Sequence, residues 1–322
     1  MAKKRRPSAY APRRSSTGMG LWVGVAVVAV LAFLVVLKVA APQGSPALDG
    51  QPVAASVLQN LTSVQPKTFA LAESTTAQSG PYGGSKTLWT SGGKPVFFYF
   101  GYEYCPYCAA SRWSMVTALA RFGTWSGLEY MTSSSTDVYP TTHTFTFLNA
   151  TYTSEYITFE SVENMGNTPG PTGQYPTLQI PTTTQQTALT TYDATPYVPA
   201  NAAGSVPFMD VGNRYLWVGS LLDPGYLAGM DWLAISKDVH AGTKPAGTSI
   251  LAGANALSAA ICAVDGDHPS SVCNSTPVAV LIKALPAATP TPAKTGTTSS
   301  TGSSTTATTS STTSSGSATT AG

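Results

Sequence analysis

The sequence predicts an α/β domain set between an N-terminal membrane segment and a disordered tail, and three observations carry this. An apolar run of 21 residues, Leu21 to Ala41, follows a basic N-terminus. A continuous β-branched and aromatic run, Val96-Phe97-Phe98-Tyr99-Phe100, leads through a short turn into a helical pattern that opens on Cys105-Pro106-Tyr107-Cys108. From Pro286 onward Ser and Thr dominate, supplying 16 of the last 22 residues.

Composition narrows the function classes. Only 10% of the 322 residues are charged, against about a quarter in ordinary globular chains. That excludes a charge-rich disordered protein and a highly charged helical bundle. The net +2 hides an asymmetry, because six of the 17 basic residues lie in the first 20 positions. The rest of the chain carries 11 basic against 15 acidic groups, a net of −4. A nucleic-acid-binding body needs a basic face to neutralise phosphates, so nucleic acid is not an expected partner. So few titrating groups also lead us to expect a domain that tolerates acidic surroundings.

Residues 1–20 read as a basic cytoplasmic segment. At 1.5 Å per residue, Leu21–Ala41 spans about 31 Å, which matches a hydrocarbon core of about 30 Å. Its one charge, Lys38, sits near an end where the ammonium can reach the headgroups. Val39-Ala40-Ala41 also resembles a signal-peptidase site. The long apolar run, the long basic lead and Pro42 favour an uncleaved single-pass anchor. The positive-inside bias then puts the N-terminus in the cytoplasm and the rest outside it, at the cell membrane. Residues 42–285 form one extracytoplasmic domain, and 286–322 form a disordered Ser/Thr-rich tail, either plainly solvated or an O-glycosylated stalk.

Within the domain, Val96–Phe100 lacks alternation, as expected of a strand covered on both faces. The helical pattern after it puts Trp113, Val116 and Ala120 on one stripe, which reads as core, with Gly123 as its C-terminal cap. Cys105 then sits at a helix N-terminus with Pro106 in the first turn. Unpaired N–H groups and the positive end of the helix dipole favour a thiolate there. Cys105 is the expected exposed nucleophile, and Cys108, one turn on, is placed to resolve a mixed disulfide. Cys-x-x-Cys could also be half a zinc site or an inert disulfide. Cys262 and Cys273 do not repeat the motif, and His143, His240 and His268 show no metal-ligand spacing, so a redox dithiol without metal or other cofactor is expected. Cys262 and Cys273, with ten residues between them in a turn-like loop, are expected as a structural disulfide. Glu103 is either a carboxylate that shuttles the Cys108 proton or, the favoured reading, a solvated loop acid. Arg112 either stabilises thiolate charge or is an exposed helix residue.

A strand leading into Cys-x-x-Cys at a helix start resembles the thioredoxin superfamily. Gly204-Ser205-Val206-Pro207-Phe208-Met209-Asp210-Val211-Gly212-Asn213 resembles that superfamily's cis-proline strand. The resemblance implies a cis Val206-Pro207 bond facing Cys105, with Pro207 in the active site and the Val206 backbone docking an extended substrate. A narrower resemblance rests on Tyr102-Glu103-Tyr104-Cys105-Pro106-Tyr107-Cys108-Ala109-Ala110, Arg112-Trp113 and Ala120-Arg121-Phe122-Gly123. Ser133 to Pro140, Thr144–Phe147 and Tyr156–Glu160 extend it. These are similar to a prokaryotic family of membrane-anchored thioredoxin-like proteins catalogued as a domain of unknown function, over roughly 53–242. Against a minimal thioredoxin-like fold, 127–204 reads as an enlarged insertion. Phe145/Phe147 and Ile157/Phe159 suggest two strands that form an extra or extended sheet element, and 168–199 reads as loop with little helix. Pro224–Val239 and Ile250–Cys262 carry helical patterns that can cover the sheet.

The implied activity is thiol–disulfide exchange as oxidase or isomerase on secreted or surface protein thiols, the Cys105–Cys108 disulfide being the only redox group. An oxidase would need an electron acceptor such as a quinone-linked membrane partner. The Pro-Tyr dipeptide resembles glutaredoxin-type sites of intermediate potential. A non-catalytic thioredoxin-like scaffold ectodomain is the alternative.

Overall fold

The computed structural model describes residues 48–72 and 80–290. The expected basic segment, the 21–41 anchor and the tail beyond Pro290 lie outside the described residues.

Two short helices come first, α1 (Ala55–Thr62) and α2 (Pro66–Phe69). The edge strand β1 (Tyr82–Gly83) and the hairpin strand β2 (Thr90–Ser91) precede the central strand β3 (Lys94–Gly101). The Gly92-Gly93 turn between β2 and β3 has positive φ at both residues, 59° and 81°, a conformation glycine adopts without a Cβ clash. From β3 the chain enters α3 (Pro106–Leu119). It then forms four short strands, β4 (Gly123–Ser126), β5 (Glu129–Thr132), β6 (His143–Thr146) and β7 (Thr151–Ser154). Strand β8 (Thr158–Glu163) and helix α4 (Thr183–Tyr192) follow. The hairpin β9 (Phe208–Val211) and β10 (Tyr215–Val218) leads to α5 (Trp232–Ala241) and α6 (Lys244–Asp265). Helices α7 (Ser270–Cys273) and α8 (Thr276–Ala284) close the described chain.

The main sheet is mixed. Strand β3 runs parallel to β8 and antiparallel to β9, which pairs with β10, which pairs with β1; β2 joins the start of β3. Both faces of β3 are covered, as its continuous apolar run requires. Phe97 and Tyr99 share one core with Met209, Val211 and Trp217, with Trp113 and Val116 of α3, and with Leu251 and Leu257 of α6. Val96 and Phe98 share the other with Phe208, Leu216 and Val218, and with Ala188 and Leu189 of α4.

Three expectations change. The 127–204 stretch is not all insertion, because Thr158–Glu163 is the parallel neighbour of β3. A parallel partner needs a crossover connection, and α3 lies on it. The Thr-rich stretch after 168 is not loop alone: α4 forms there under a capping box in which the Thr182 hydroxyl accepts from Gln185 N and the Gln185 side chain accepts from Thr182 N. Gly123 does not cap α3, which ends on Ala120; Gly123 opens β4, where a Cβ would overlap the Thr153 carbonyl oxygen. Strands β4–β7 form two small antiparallel pairs, β4 with β7 and β5 with β6. Trp113 Nε1 donates to the His143 carbonyl (2.8 Å) and binds the second pair to α3.

Among the described residues one helix, α6, is long and apolar enough to cross a membrane. It is mostly buried within the fold and serves as the core helix beside α3. Cys262 on its last turns is disulfide-bonded to Cys273 of α7, with 5.6 Å between the Cα atoms. The compact unit extends to Pro290, and Thr289 N donates to the Gly84 carbonyl (2.9 Å) beside the edge strand.

Candidate functional site

The site lies where β3 ends and α3 begins. Cys105 is the N-cap of α3, and its Sγ accepts from the Cys108 N–H at 3.3 Å. Cys105 and Cys108 are free thiols. A hydrogen bond from the Cys108 thiol holds the Cys105 thiol below its ordinary pKa despite burial, helped by the N–H groups of Cys108 and Tyr107 and by Arg112. Burial and the neighbouring Cys105 push Cys108 well above the ordinary range. The two thiols thus differ as an attacking and a resolving sulfur should.

Cys105 is less accessible than expected, being 6% exposed. The reason lies in the helix it caps: α3 is buried on every side, and Tyr107 alone in it is exposed.

Glu103 and Arg112 also depart from the solvated positions considered for them. Both are fully buried. Arg112 holds Glu163, at the end of β8, by a bidentate pair: Nε donates to Oε1 (3.0 Å) and Nη2 to Oε2 (2.6 Å). Nη2 also donates to the Tyr102 carbonyl (3.1 Å), while Nη1 has no partner. The backbone that carries Tyr102 and Glu103 is therefore tied to the helix through a buried charge. Neither Glu103 carboxylate oxygen has a partner in ordinary hydrogen-bond geometry. Burial, then repulsion from Glu163, raises its pKa to about 8; Arg112 and the nearby Thr146 side chain only offset part of that. One ionised glutamate paired to one guanidinium, with Glu103 protonated, leaves the pocket near neutrality.

Sequence reasoning missed Glu163 and Tyr99. Glu163 lies 51 residues from Arg112, but an acid ending an apolar strand was a usable signal. The Tyr99 hydroxyl is buried without a partner, and burial holds its pKa well above 10. It crowds against Cys108 around Gly101: a Cβ there would overlap the Tyr99 hydroxyl and stand 3.1 Å from Cys108 Sγ.

The Val206–Pro207 peptide is cis. Strand register pairs Phe208 with Phe100, so Pro207 falls level with Gly101, at the end of β3 from which the Cys105 turn departs. Pro207 is buried, and its carbonyl accepts from Gly219 N (2.8 Å). The Val206 backbone N–H and C=O engage no hydrogen-bond partner among the described residues. Aromatic rings flank Cys105. Tyr104 stacks on Tyr102 (5.2 Å) and on Tyr175 of the 164–182 connection (4.2 Å), whose hydroxyl contacts Ser134 Oγ (2.7 Å). Among the described residues no group of three or more His, Cys, Asp and Glu is placed to hold a metal ion.

No curated protein and no solved structure matches this chain. One protein family does, over residues 82–263, which takes in β1, the Cys105–Cys108 turn, the cis-proline hairpin and most of α6. That span exceeds half of the 322 residues, and the chain belongs to the family described as Domain of unknown function (DUF929).

Proposed function

We propose that this chain is a membrane-anchored, extracytoplasmic thiol–disulfide oxidoreductase built on a thioredoxin-like fold. The observation that carries the reading is the split thiol pair: Cys105 is the N-cap of a 14-residue helix with its pKa lowered, and Cys108 is buried with its pKa raised. The parallel β3–β8 pair, the antiparallel β9–β10 hairpin and a cis proline at its start support the fold assignment. The anchor rests on the 21–41 run and its basic lead.

In the oxidising direction a substrate thiolate attacks Cys105 Sγ of the Cys105–Cys108 disulfide. A mixed disulfide forms, and Cys108 leaves as a thiolate that takes up a proton. A second substrate thiol gives up its proton and attacks the substrate sulfur of the mixed disulfide, releasing the Cys105 thiolate and a substrate disulfide. Two electrons thus pass to the pair, and a quinone-linked membrane partner takes them away with two protons. Isomerase work uses the same attack from the reduced pair. Val206 offers its free backbone edge to an extended substrate beside Cys105. Arg112 favours thiolate charge on both sulfurs, and Glu103, buried near Arg112 with its pKa raised to about 8, assists proton uptake and release.

Cys105→Ser should abolish disulfide exchange with a thiol substrate, and full activity in that variant would end the proposal. The low exposure of Cys105 favours one second reading, a scaffold ectodomain without turnover. Titration with a mild reductant separates the two, since a catalytic pair reduces readily and a structural one resists.

A further inference from the structure

The two arginines of the α3 region are treated differently. Arg112 presents its Nε–Nη2 edge to the Glu163 carboxylate, which fills both positions. Arg121, just past the other end of α3, has no acid partner among the described residues. Its Nη1 donates to Asn255 Oδ1 (3.2 Å) and Ser258 Oγ (2.9 Å). The Nε–Nη2 edge has one contact, from Nη2 to Ser275 Oγ at 3.3 Å, and none at Nε. The guanidinium also stacks on the Phe69 ring, 4.1 Å from its centroid, which fixes its plane.

This edge is half-buried and faces a surface cavity. Arg121 lines a cavity of about 190 Å³ together with Thr62, Phe69, Thr117 and Ser271. Burial alone pulls its pKa down to about 10, with no opposing contribution from an acid. Arg121 is a half-buried cation bonded only to neutral groups, so a counter-charge that reaches its open edge gains an interaction that nothing else in the described chain supplies. Guanidinium geometry specifies that counter-charge, since two parallel N–H groups match two oxygens of one carboxylate, sulfate or phosphate. The hydroxyls of Thr62 and Ser271 add donors suited to the remaining oxygens, and a cavity of this size admits such a group but not a nucleotide.

We infer that the Arg121 cavity is a binding site for a small oxyanion, a phosphate, a sulfate or the carboxylate of a small acid, held bidentately on the Nε–Nη2 edge. It lies at the end of α3 opposite Cys105, so it is separate from the thiol site.

The test uses the full-length chain and follows its thermal midpoint at constant ionic strength while chloride is replaced by inorganic phosphate, sulfate or acetate. A saturable rise is expected, about 3–6 °C at tenfold excess over the dissociation constant. Which of the three saturates at lowest concentration distinguishes an inorganic oxyanion from a carboxylate. Arg121→Gln should abolish the rise. Arg121→Lys, which keeps the charge and loses the fork, should weaken binding at least tenfold and decides the matter if Arg121→Gln does not fold. An equal rise in chloride, or unchanged affinity in Arg121→Lys, overturns the inference.

Discussion

At the scale of single residues, the site depends on a buried arginine rather than on the cysteines alone. Arg112 pairs with Glu163, anchors the Tyr102 carbonyl and lowers both thiols. Arg112→Met removes all three effects and leaves Glu163 buried without its partner. We expect a loss of about 3–5 kcal/mol in stability and a higher Cys105 pKa, read from the pH dependence of its alkylation rate. An unchanged rate profile would show that the helix N-terminus tunes Cys105 without Arg112. Glu103 titrates between the unfolded and folded values. Its folded pKa is about 8 against 4.5, so the folded state holds the extra proton in that window and loses stability as pH rises through it. Glu103→Gln should flatten this part of the pH profile and raise stability at pH 8 relative to wild type, measured by urea unfolding. Cys105, Cys108 and Pro207 were legible because each lies in a local motif. The burial of Arg112 and Glu103 was not, because Glu163 comes from a strand 51 residues away.

At the scale of elements, β3 and α3 do most to set the geometry, and the close approach at Gly101 is where they meet. Gly101→Ala would drive a methyl group into Tyr99 and toward Cys108. Overpacking of this kind costs about 1–3 kcal/mol, and the variant should also expose Cys108 to thiol reagents. The Cys262–Cys273 disulfide joins α6 to α7 across an 11-residue separation. Replacing both cysteines with Ala should cost about 2–4 kcal/mol, read from the denaturant midpoint, while leaving reactivity at Cys105 unchanged. The continuous run of β3 announced a strand covered on both faces, and the Val-Pro pair announced β9. Helix α4 was hidden because its threonines give no apolar stripe, although Thr182-x-x-Gln185 carried the capping signal. Periodicity marked β8 as a strand but could not name its neighbour, since parallel pairing with β3 is decided by the α3 crossover rather than by any local pattern.

At the scale of the whole molecule, burial raises the pKa of several acids. Besides Glu103, Asp210 is raised to about 8, and Asp193 and Asp265 to about 6. Each has a folded pKa above its unfolded value, so each stabilises the fold below the unfolded value and loses that contribution as pH climbs through the folded one. The domain should be more stable at pH 5 than at pH 8, by up to about 1.4 kcal/mol per pH unit for each group inside its window. A higher thermal midpoint at pH 8 would contradict this. The low charge of the sequence leads to an expectation of acid tolerance, which the comparison of pH 5 with pH 8 tests. The account as a whole rests on Cys105–Cys108 cycling, and the reduction potential of that pair, measured against glutathione in the full-length chain, tests it most directly. The account predicts ready equilibration at a potential between about −270 and −120 mV, the range of working dithiol proteins. A pair that resists reduction below about −300 mV, or that never forms a disulfide, would contradict it.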